Sequence, residues 1–530
     1  MTDNPARRWW ALVAIAASVL VVGLDLTVLN LALPTISSDL HASTSDLQWV
    51  SDAYSLVLAA AMLPAGLLGD RLGRKKVLLT ALVLFGASSA ACAYASGISE
   101  LIAARAVLGI GAAAIFPLSL SVIPVLFAPE ERQKAIALMA SATFISFPIG
   151  PIVGGYLLDN FWWGSVFLIN VPVTALGAIA VAILVPESRN RQAGGIDYVG
   201  VLLSIAGLVS LVFGIVQGGD GDSWLSLGVL GPIVGGLVIL AAFVAYEARI
   251  QHPSLDVRLF RDRRLSASVG ALGLVFFGMG GVFFFTSFYL QNVRGYTPLD
   301  AGLLTVPFAA GQLLMSPRSA RLVQRYGAKA VGTTGMFVMA AAIAGYATLG
   351  TASPIWLLGV LFGIQGAAIG LSMPAATAAV MDVLPRERAG SGSALTNTAR
   401  QVAVALSVAI LGSILADFYR NALAPALAGL PAAARGAASS SITATQAVAQ
   451  QLGPAGRSLL APANAAFVDA MRVTTLIAAL VALAGGFVVL RWMPGKPRPV
   501  AEIAAPSEDA YESELAIMEQ NMLNTADREG

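Results

Sequence analysis

Asp70-Arg71-Leu72-Gly73-Arg74-Lys75-Lys76-Val77 is echoed far downstream by Gln324-Arg325-Tyr326-Gly327-Ala328-Lys329-Ala330-Val331, with Arg, Gly, Lys and Val in register. Each copy is a basic hinge between two long apolar runs, so both mark the same point in a repeated unit. Internal repetition of this kind belongs to transporters assembled from related helix bundles around a midplane site. Aligning the copies sets the first apolar run against the ninth. The seventh and eighth runs are then an insert between two six-helix halves.

Composition agrees with a membrane setting. Of 530 residues, 57% are hydrophobic and 12% charged, well below the roughly 25% charge of a soluble domain. A helix that spans a bilayer needs about 20 largely apolar residues. Runs of that kind fall at 9 to 33, 46 to 68, 77 to 95, 101 to 127, 136 to 158, 164 to 185, 198 to 217 and 226 to 247. They continue at 267 to 290, 299 to 317, 330 to 349, 355 to 381, 390 to 415 and 466 to 491. The expected fold is an all-α polytopic membrane protein with fourteen transmembrane helices. Its expected divisions are an N-terminal six-helix bundle at 1–190 and two inserted helices with a linker at 191–262. A C-terminal six-helix bundle at 263–493 carries an extended external segment at about 416–465, and 494–530 form a polar cytoplasmic tail. The first run is too long for a signal-peptide core and lacks a small-residue cleavage site, so it reads as a retained span.

Basic residues stay on the cytoplasmic side of a bilayer, and their positions follow this count. Arg7, Arg8, Arg71, Arg74, Lys75, Lys76, Arg132, Lys134, Arg189, Arg191 and Arg249 share one side, as do Arg258 to Arg264, Arg318 to Lys329, Arg386, Arg388, Arg491, Lys496, Arg498 and Arg528. The opposite side receives only Arg294, Arg420, Arg435, Arg457 and Arg472. Both termini are therefore expected in the cytoplasm. The near-balanced net charge of +2 gives no reason to expect a nucleic-acid partner. One cysteine and two histidines leave no disulfide and little for a metal site. No Gly-x-x-x-x-Gly-Lys-Ser/Thr run is present to cradle ATP. No cofactor or metal is expected, and a monomer is.

Asp25 lies deep in the first span, in Gly23-Leu24-Asp25-Leu26-Thr27-Val28-Leu29-Asn30-Leu31-Ala32-Leu33-Pro34. An ionised carboxylate at a bilayer centre costs about 2.5 to 3.5 kcal/mol on insertion scales, so such residues face a bundle interior or a wet cavity. Asp52, Arg105 and Arg400 also fall within or at the edge of spans, and the four charges sum to zero. Burial disfavours a charged carboxylate and a nearby cation favours it, which is the minimum chemistry for exchanging a proton. The four are candidates for proton coupling or for holding a cationic substrate. A satisfied ion pair or interhelix hydrogen bond is the alternative role. Span nine is aromatic, with Phe276, Phe277, Phe283, Phe284, Phe285, Phe288 and Tyr289. One or two of these are expected to line a cavity and meet lipophilic cations through their faces.

Gly66-x-Leu68-x-Asp70-Arg71-x-Gly73-Arg74-Lys75-Lys76 resembles the signature loop of the major facilitator superfamily. The resemblance implies a cytoplasmic gate built on Gly66, Asp70, Arg71, Gly73 and Arg74, with the acid and cations latching helices in one state. Gly150-Pro151-Ile152-Val153-Gly154-Gly155 resembles the span-five motif of drug exporters in that superfamily. There Gly150 and Gly154 allow close backbone approach, Pro151 bends the helix, and Gly155 completes the motif.

The run around Asp25, with Trp49 to Leu56, Phe167-Leu168-Ile169-Asn170-Val171-Pro172 and Asn397-Thr398-Ala399-Arg400-Gln401, resembles the fourteen-helix drug:proton antiporters, which include quaternary-ammonium pumps. The likeness covers nearly the whole chain. It implies a major facilitator fold in the cell inner membrane that exports small lipophilic, cationic compounds in exchange for protons, with no ATP. It also makes Asn30, Gln312, Asn397, Phe284 and Phe288 cavity candidates. Two departures matter. The fourth span reads Arg105-Ala106-Val107-Leu108-Gly109, without the usual Gln, and span ten has Gln312 where some multidrug relatives carry an acid. Export of an endogenous lipid or metabolite is a rival expectation. A membrane receptor or intramembrane enzyme is a more distant one, since no Ser/His, Cys/His or paired-histidine constellation is visible.

Overall fold

A computed structural model describes residues 5–189, 197–221, 223–250, 257–383 and 389–493. The expected tail 494–530, and Arg191, Arg386, Arg388, Lys496, Arg498 and Arg528 from the charge pattern, lie outside these residues. The described residues are helical, with no strand among them. The helices are α1 (Pro5–Asp39), α2 (Thr44–Leu72), α3 (Arg74–Ala93), α4 (Ile98–Leu126), α5 (Pro129–Asn160), α6 (Ser165–Leu168), α7 (Asn170–Leu184), α8 (Tyr198–Gly219) and α9 (Leu227–Glu247). They continue as α10 (Arg263–Phe288), α11 (Pro298–Leu303), α12 (Val306–Tyr326), α13 (Ala328–Tyr346), α14 (Ile355–Val383), α15 (Ala389–Leu427), α16 (Ala432–Ser439), α17 (Ile442–Gln451) and α18 (Arg457–Trp492). Among the described residues, 12 helices are long and apolar enough to cross a membrane, or 13 if the bent α2 is one span. The expected fourteen is compatible with this, because α5 adds a further helix of 32 residues.

Local chemistry sets the helix ends. Ser43 and Asp46 close a reciprocal capping box on α2, while Asp197, Thr297 and Ser441 accept backbone N–H groups at the starts of α8, α11 and α17. The repeated basic hinge turns at the same point in both copies, with φ of 115° at Gly73 and 86° at Gly327. Only glycine enters that region without steric cost.

Packing divides the chain into two groups joined by few elements. In the first, α1 packs on α5 and α7, and α4 on α2 and α3. In the second, α14 packs on α12 and α13, and α10 on α15 and α18. Helix α8, with α9 packed on it, lies beside α2 and α15, one from each group, where Leu56, Val212 and Ala405 share a small apolar cluster. The segment expected as an extended loop at 416–465 is more ordered than its composition suggested. There α15 runs on to Leu427, α18 starts at Arg457, and α16 and α17 form a helical hairpin between them. Alanine is the best helix former, so an Ala-rich stretch stays helical where apolar length runs out.

Candidate functional site

Asp25 and Arg105 form a fully buried ion pair inside the first group. Nη1 of Arg105 donates to Asp25 Oδ2 at 2.5 Å, and the two residues are 1% and 3% exposed, Arg105 being the less exposed. Arg105 Nε also donates to the Val50 carbonyl at 3.1 Å, and its guanidinium stands 4.3 Å from the Tyr54 ring centroid. Asn170 Nδ2 donates to Asp25 Oδ1 at 3.5 Å and to Ser89 Oγ at 3.0 Å, and Ser89 in turn donates to the Phe167 carbonyl. Arg105 of α4 and Asn170 of α7 therefore hold the carboxylate of α1, and α2 and α3 brace them in turn. Removing one member of such a pair costs about 3 to 5 kcal/mol, because it strands the other charge.

Beside this pair, a cavity of about 90 Å³ lies between the two groups. From the first group come Gly23, Leu26, Thr27, Asn30 and Ser146; from the second come Phe276, Met279, Gly280, Phe283, Arg400, Gln401 and Val404. Asp25 does not line it. On a helix of 3.6 residues per turn, positions 23, 26, 27 and 30 share one face and 25 points elsewhere. Arg400 is half-buried, its guanidinium 5.3 Å from the Phe276 ring centroid. A larger hollow of about 760 Å³ lies toward the end that carries the Gly73 hinge, between Ile145 of α5 and Leu313, Pro317, Met373 and Thr377.

The opposite end, where the α16–α17 hairpin sits, is closed by contacts between groups. Gln48 Nε2 donates to the Val408 and Ala409 carbonyls at 3.0 Å each, Gln291 Nε2 to the Leu31 carbonyl at 2.8 Å, and Thr44 Oγ1 to the Ser440 carbonyl at 3.0 Å. Asn292 Nδ2 donates to Gln446 Oε1 at 2.8 Å and Gln446 Nε2 to the Asn292 carbonyl at 2.8 Å, which ties the hairpin to the end of α10. The span-five glycines serve both kinds of contact. A Cβ on Gly154 would meet Val28 Cγ1 of α1 at 2.6 Å, and one on Gly155 would meet Leu299 Cα of α11 at 2.6 Å. Gly302 of α11 likewise lies against the Pro151 carbonyl, and Gly150 against Thr27.

At the hinge end, Arg74 pairs with Asp70 at 2.8 Å and donates to the Ser121 carbonyl at 3.0 Å, so this pair joins α2, α3 and α4 of the first group. A Cβ on Gly73 would meet Glu187 at 2.5 Å, and Gly66 lies near Pro117 of α4. Asp52 is 0% exposed, and neither of its carboxylate oxygens has a hydrogen-bond partner. It lies one turn from Gln48 on the face of α2 that meets α15, and it does not line the central cavity.

Of the expected cavity residues, Asn30 lines the central space. Phe284 and Phe288 line instead a smaller hollow near the hairpin with Thr44, Tyr419 and Ile442. Gln312 is buried in α12, and Asn397 stands on α15 before the cavity. Phe276, Met279 and Phe283 occupy the cavity face because they follow helical spacing, which Phe284 and Phe288 leave by a third of a turn.

A family model described as Major Facilitator Superfamily matches residues 15–408. The chain belongs to that superfamily. It is 35% identical over 492 residues to "Multidrug efflux pump LfrA" of Mycolicibacterium smegmatis, covering 92% of this chain and 97% of the relative. It is 33% identical to "Methyl viologen resistance protein SmvA" of Salmonella typhimurium, covering 87% and 93%, and 31% identical to a tetracenomycin C resistance and export protein of Streptomyces glaucescens, covering 78% and 76%. The fold is shared with a bacterial homologue of the lysosomal transporter Spinster in an inward-facing form, with a TM-score of 0.63, 18% identity and coverage of 93% and 99%. This member of the superfamily is thus a multi-pass membrane transporter and not an enzyme, and its relatives are multidrug efflux and resistance proteins.

Proposed function

We propose that this transporter is a proton-coupled efflux antiporter of the cell inner membrane that exports hydrophobic compounds by alternating access between two six-helix halves. The observation that carries this reading is the Asp25–Arg105 pair, fully buried next to a cavity that both groups line. The positive loops support a cytoplasmic Gly73 hinge and cytoplasmic termini, and in that orientation a closed hairpin end means a cavity facing inward.

In the proposed cycle, Asp25 takes a proton while the cavity faces outward. The proton cancels its attraction to Arg105, which stays held by the Val50 carbonyl and the Tyr54 ring. Return to the inward state releases the proton to the cytoplasm and re-forms the pair. Breaking a buried pair costs about 3 to 5 kcal/mol. Each proton supplies about 2.3 kcal/mol per 100 mV, plus the pH gradient. The two are of one order, so one proton can bias the conformational equilibrium. Asp70 and Arg74 lock α2 to α3 and α4 and form the cytoplasmic gate element of this reading. Lipophilic cations, quaternary ammonium compounds among them, can meet the Phe276 and Phe283 faces, but the described lining residues include no carboxylate. Hydrophobic aromatic compounds are therefore the substrate class that the lining supports.

Purified protein in proteoliposomes with an imposed pH gradient tests this. Adding hydrophobic compounds, ethidium among them, should dissipate the gradient in proportion to compound moved. Compound movement with no change in lumenal pH would remove proton coupling from the reading.

A further inference from the structure

We propose that the central cavity binds an aromatic compound bearing an oxygen acceptor, an anionic carboxylate or sulfonate or a strongly polar carbonyl, which Arg400 engages while its rings lie against Phe276 and Phe283. The inference rests on the export reading, because its ligand is the exported compound.

The charges around the cavity point this way. Arg400 is the one ionisable group among the described lining residues. Asp25 is turned away and neutralised by Arg105 at 2.5 Å, and Asp52 is 0% exposed on another face of α2. Among the described residues, Arg400 has no hydrogen-bond or ion-pair partner; its guanidinium stands over the Phe276 ring, and Tyr54 of α2 is near enough to interact with it electrostatically. A guanidinium carries five donors in a planar fork and keeps its charge under any physiological condition. At membrane depth such a charge is held by a wet cavity or by an acceptor. No described acceptor is hydrogen-bonded to this fork, which leaves it able to receive a planar oxygen pair from a ligand.

The remaining lining completes that shape. Phe276 and Phe283 stand two turns apart on α10 with Met279 between them, and supply an apolar wall of about one aromatic body's length. Thr27, Asn30, Ser146 and Gln401 place short polar groups opposite and beside it. Gly23 and Gly280 hold α1 against α5 and α10 against α15, since a Cβ at either would strike a serine, Ser146 and Ser407 respectively. A cation of the same shape would meet the same wall but also an unscreened like charge.

The test compares two probes that share a ring system and differ in charge, 1-pyrenesulfonate and 1-pyrenemethylammonium. Binding to the full-length protein in nanodiscs is read by energy transfer from tryptophan, with empty nanodiscs subtracted. The wild type should bind the sulfonate at least about tenfold more tightly, and Arg400→Gln should weaken it about ten- to a hundredfold, the size of a lost charge-assisted hydrogen-bond pair. Arg400→Gln should leave the ammonium probe unchanged or tighter, and Arg400→Lys should keep the preference for the sulfonate. Equal or tighter binding of the ammonium probe to the wild type overturns the proposal whether or not the variants fold, as does an equal loss of both probes in a folded Arg400→Gln. Proton coupling is read separately in proteoliposomes. Coupled export with the wrong probe preference sinks this inference alone, while the right preference without coupling sinks the export mechanism alone.

Discussion

Gly155→Ala should open the hairpin end without unfolding either helix group. The added Cβ would come within 2.6 Å of Leu299 Cα, 2.8 Å of the Pro298 carbonyl oxygen and 3.0 Å of Leu299 N. All three are backbone atoms, so no side chain can rotate out of the way and α5 and α11 must separate. Overpacking of this sort costs about 1 to 3 kcal/mol. Since α11 leads directly into α12 of the second group while α5 lies in the first, the cost falls on the closed hairpin end and vanishes when it opens. At tenfold per 1.4 kcal/mol, the equilibrium should move about 5- to 150-fold toward the outward-open form. Gly154→Ala is the internal control, because its Cβ meets Val28 of α1 at 2.6 Å within one group. It should lower the melting temperature and leave the equilibrium near that of the wild type. The sole native cysteine, Cys92, is buried, which permits spin labels at Asp159→Cys and Asp300→Cys, both exposed. Electron–electron distance measurements should show a longer-distance population growing in Gly155→Ala. An unchanged distance distribution in a folded Gly155→Ala protein, or the same shift in Gly154→Ala, would refute the assignment of this contact to the gate.

Asn170→Ala should cost about 0.5 to 1.5 kcal/mol for each lost hydrogen bond to Ser89 and Asp25, seen as a lower denaturation midpoint, with substrate-driven proton flux reduced. Gln446→Ala removes two of the three bonds between α17 and Asn292, leaving only that from Asn292 Nδ2 to Thr443 Oγ1; hydrogen exchange in α16 and α17 should quicken while that of α13 and α14 stays constant. Gly73→Ala forces an L-residue to a φ of 115° and against Glu187, so stability should fall by at least about 1 to 2 kcal/mol, whereas Gly97→Ala, with open space around its Cβ position, should leave the melting temperature within a degree or two.

Much of the fold was legible from apolar run lengths and from the paired basic hinges, whose glycines both turn at positive φ. The chemistry of the site was half legible. A charge inside an apolar run advertises itself, which is how Asp25, Arg105 and Arg400 stand out. Their directions do not, because a helix apolar on every side has no amphipathic phase from which to choose a face. That is why Asp25 was expected as a possible substrate contact and is found facing Arg105, away from the cavity. It is also why Phe276 and Phe283 line the space where Phe284 and Phe288 were expected. The closing contacts of Gln48, Gln291 and Asn292 were illegible for a different reason. A polar residue near a span end reads as interfacial, and only the packing of two distant segments shows that it bridges them. The hairpin at 432–451 lacked the apolar length of a span, yet caps and alanine content fold it.

Proton coupling through the Asp25–Arg105 pair is tested most directly by Asp25→Asn in proteoliposomes, with lumenal pH and compound concentration followed together under an imposed proton gradient. The amide keeps the shape and cannot exchange a proton. Compound should still equilibrate down its own gradient, its accumulation against a gradient should disappear, and the accompanying proton flux should fall to the level of protein-free liposomes. Accumulation by Asp25→Asn with an unchanged ratio of protons to compound would contradict the mechanism and move the coupling site away from this pair.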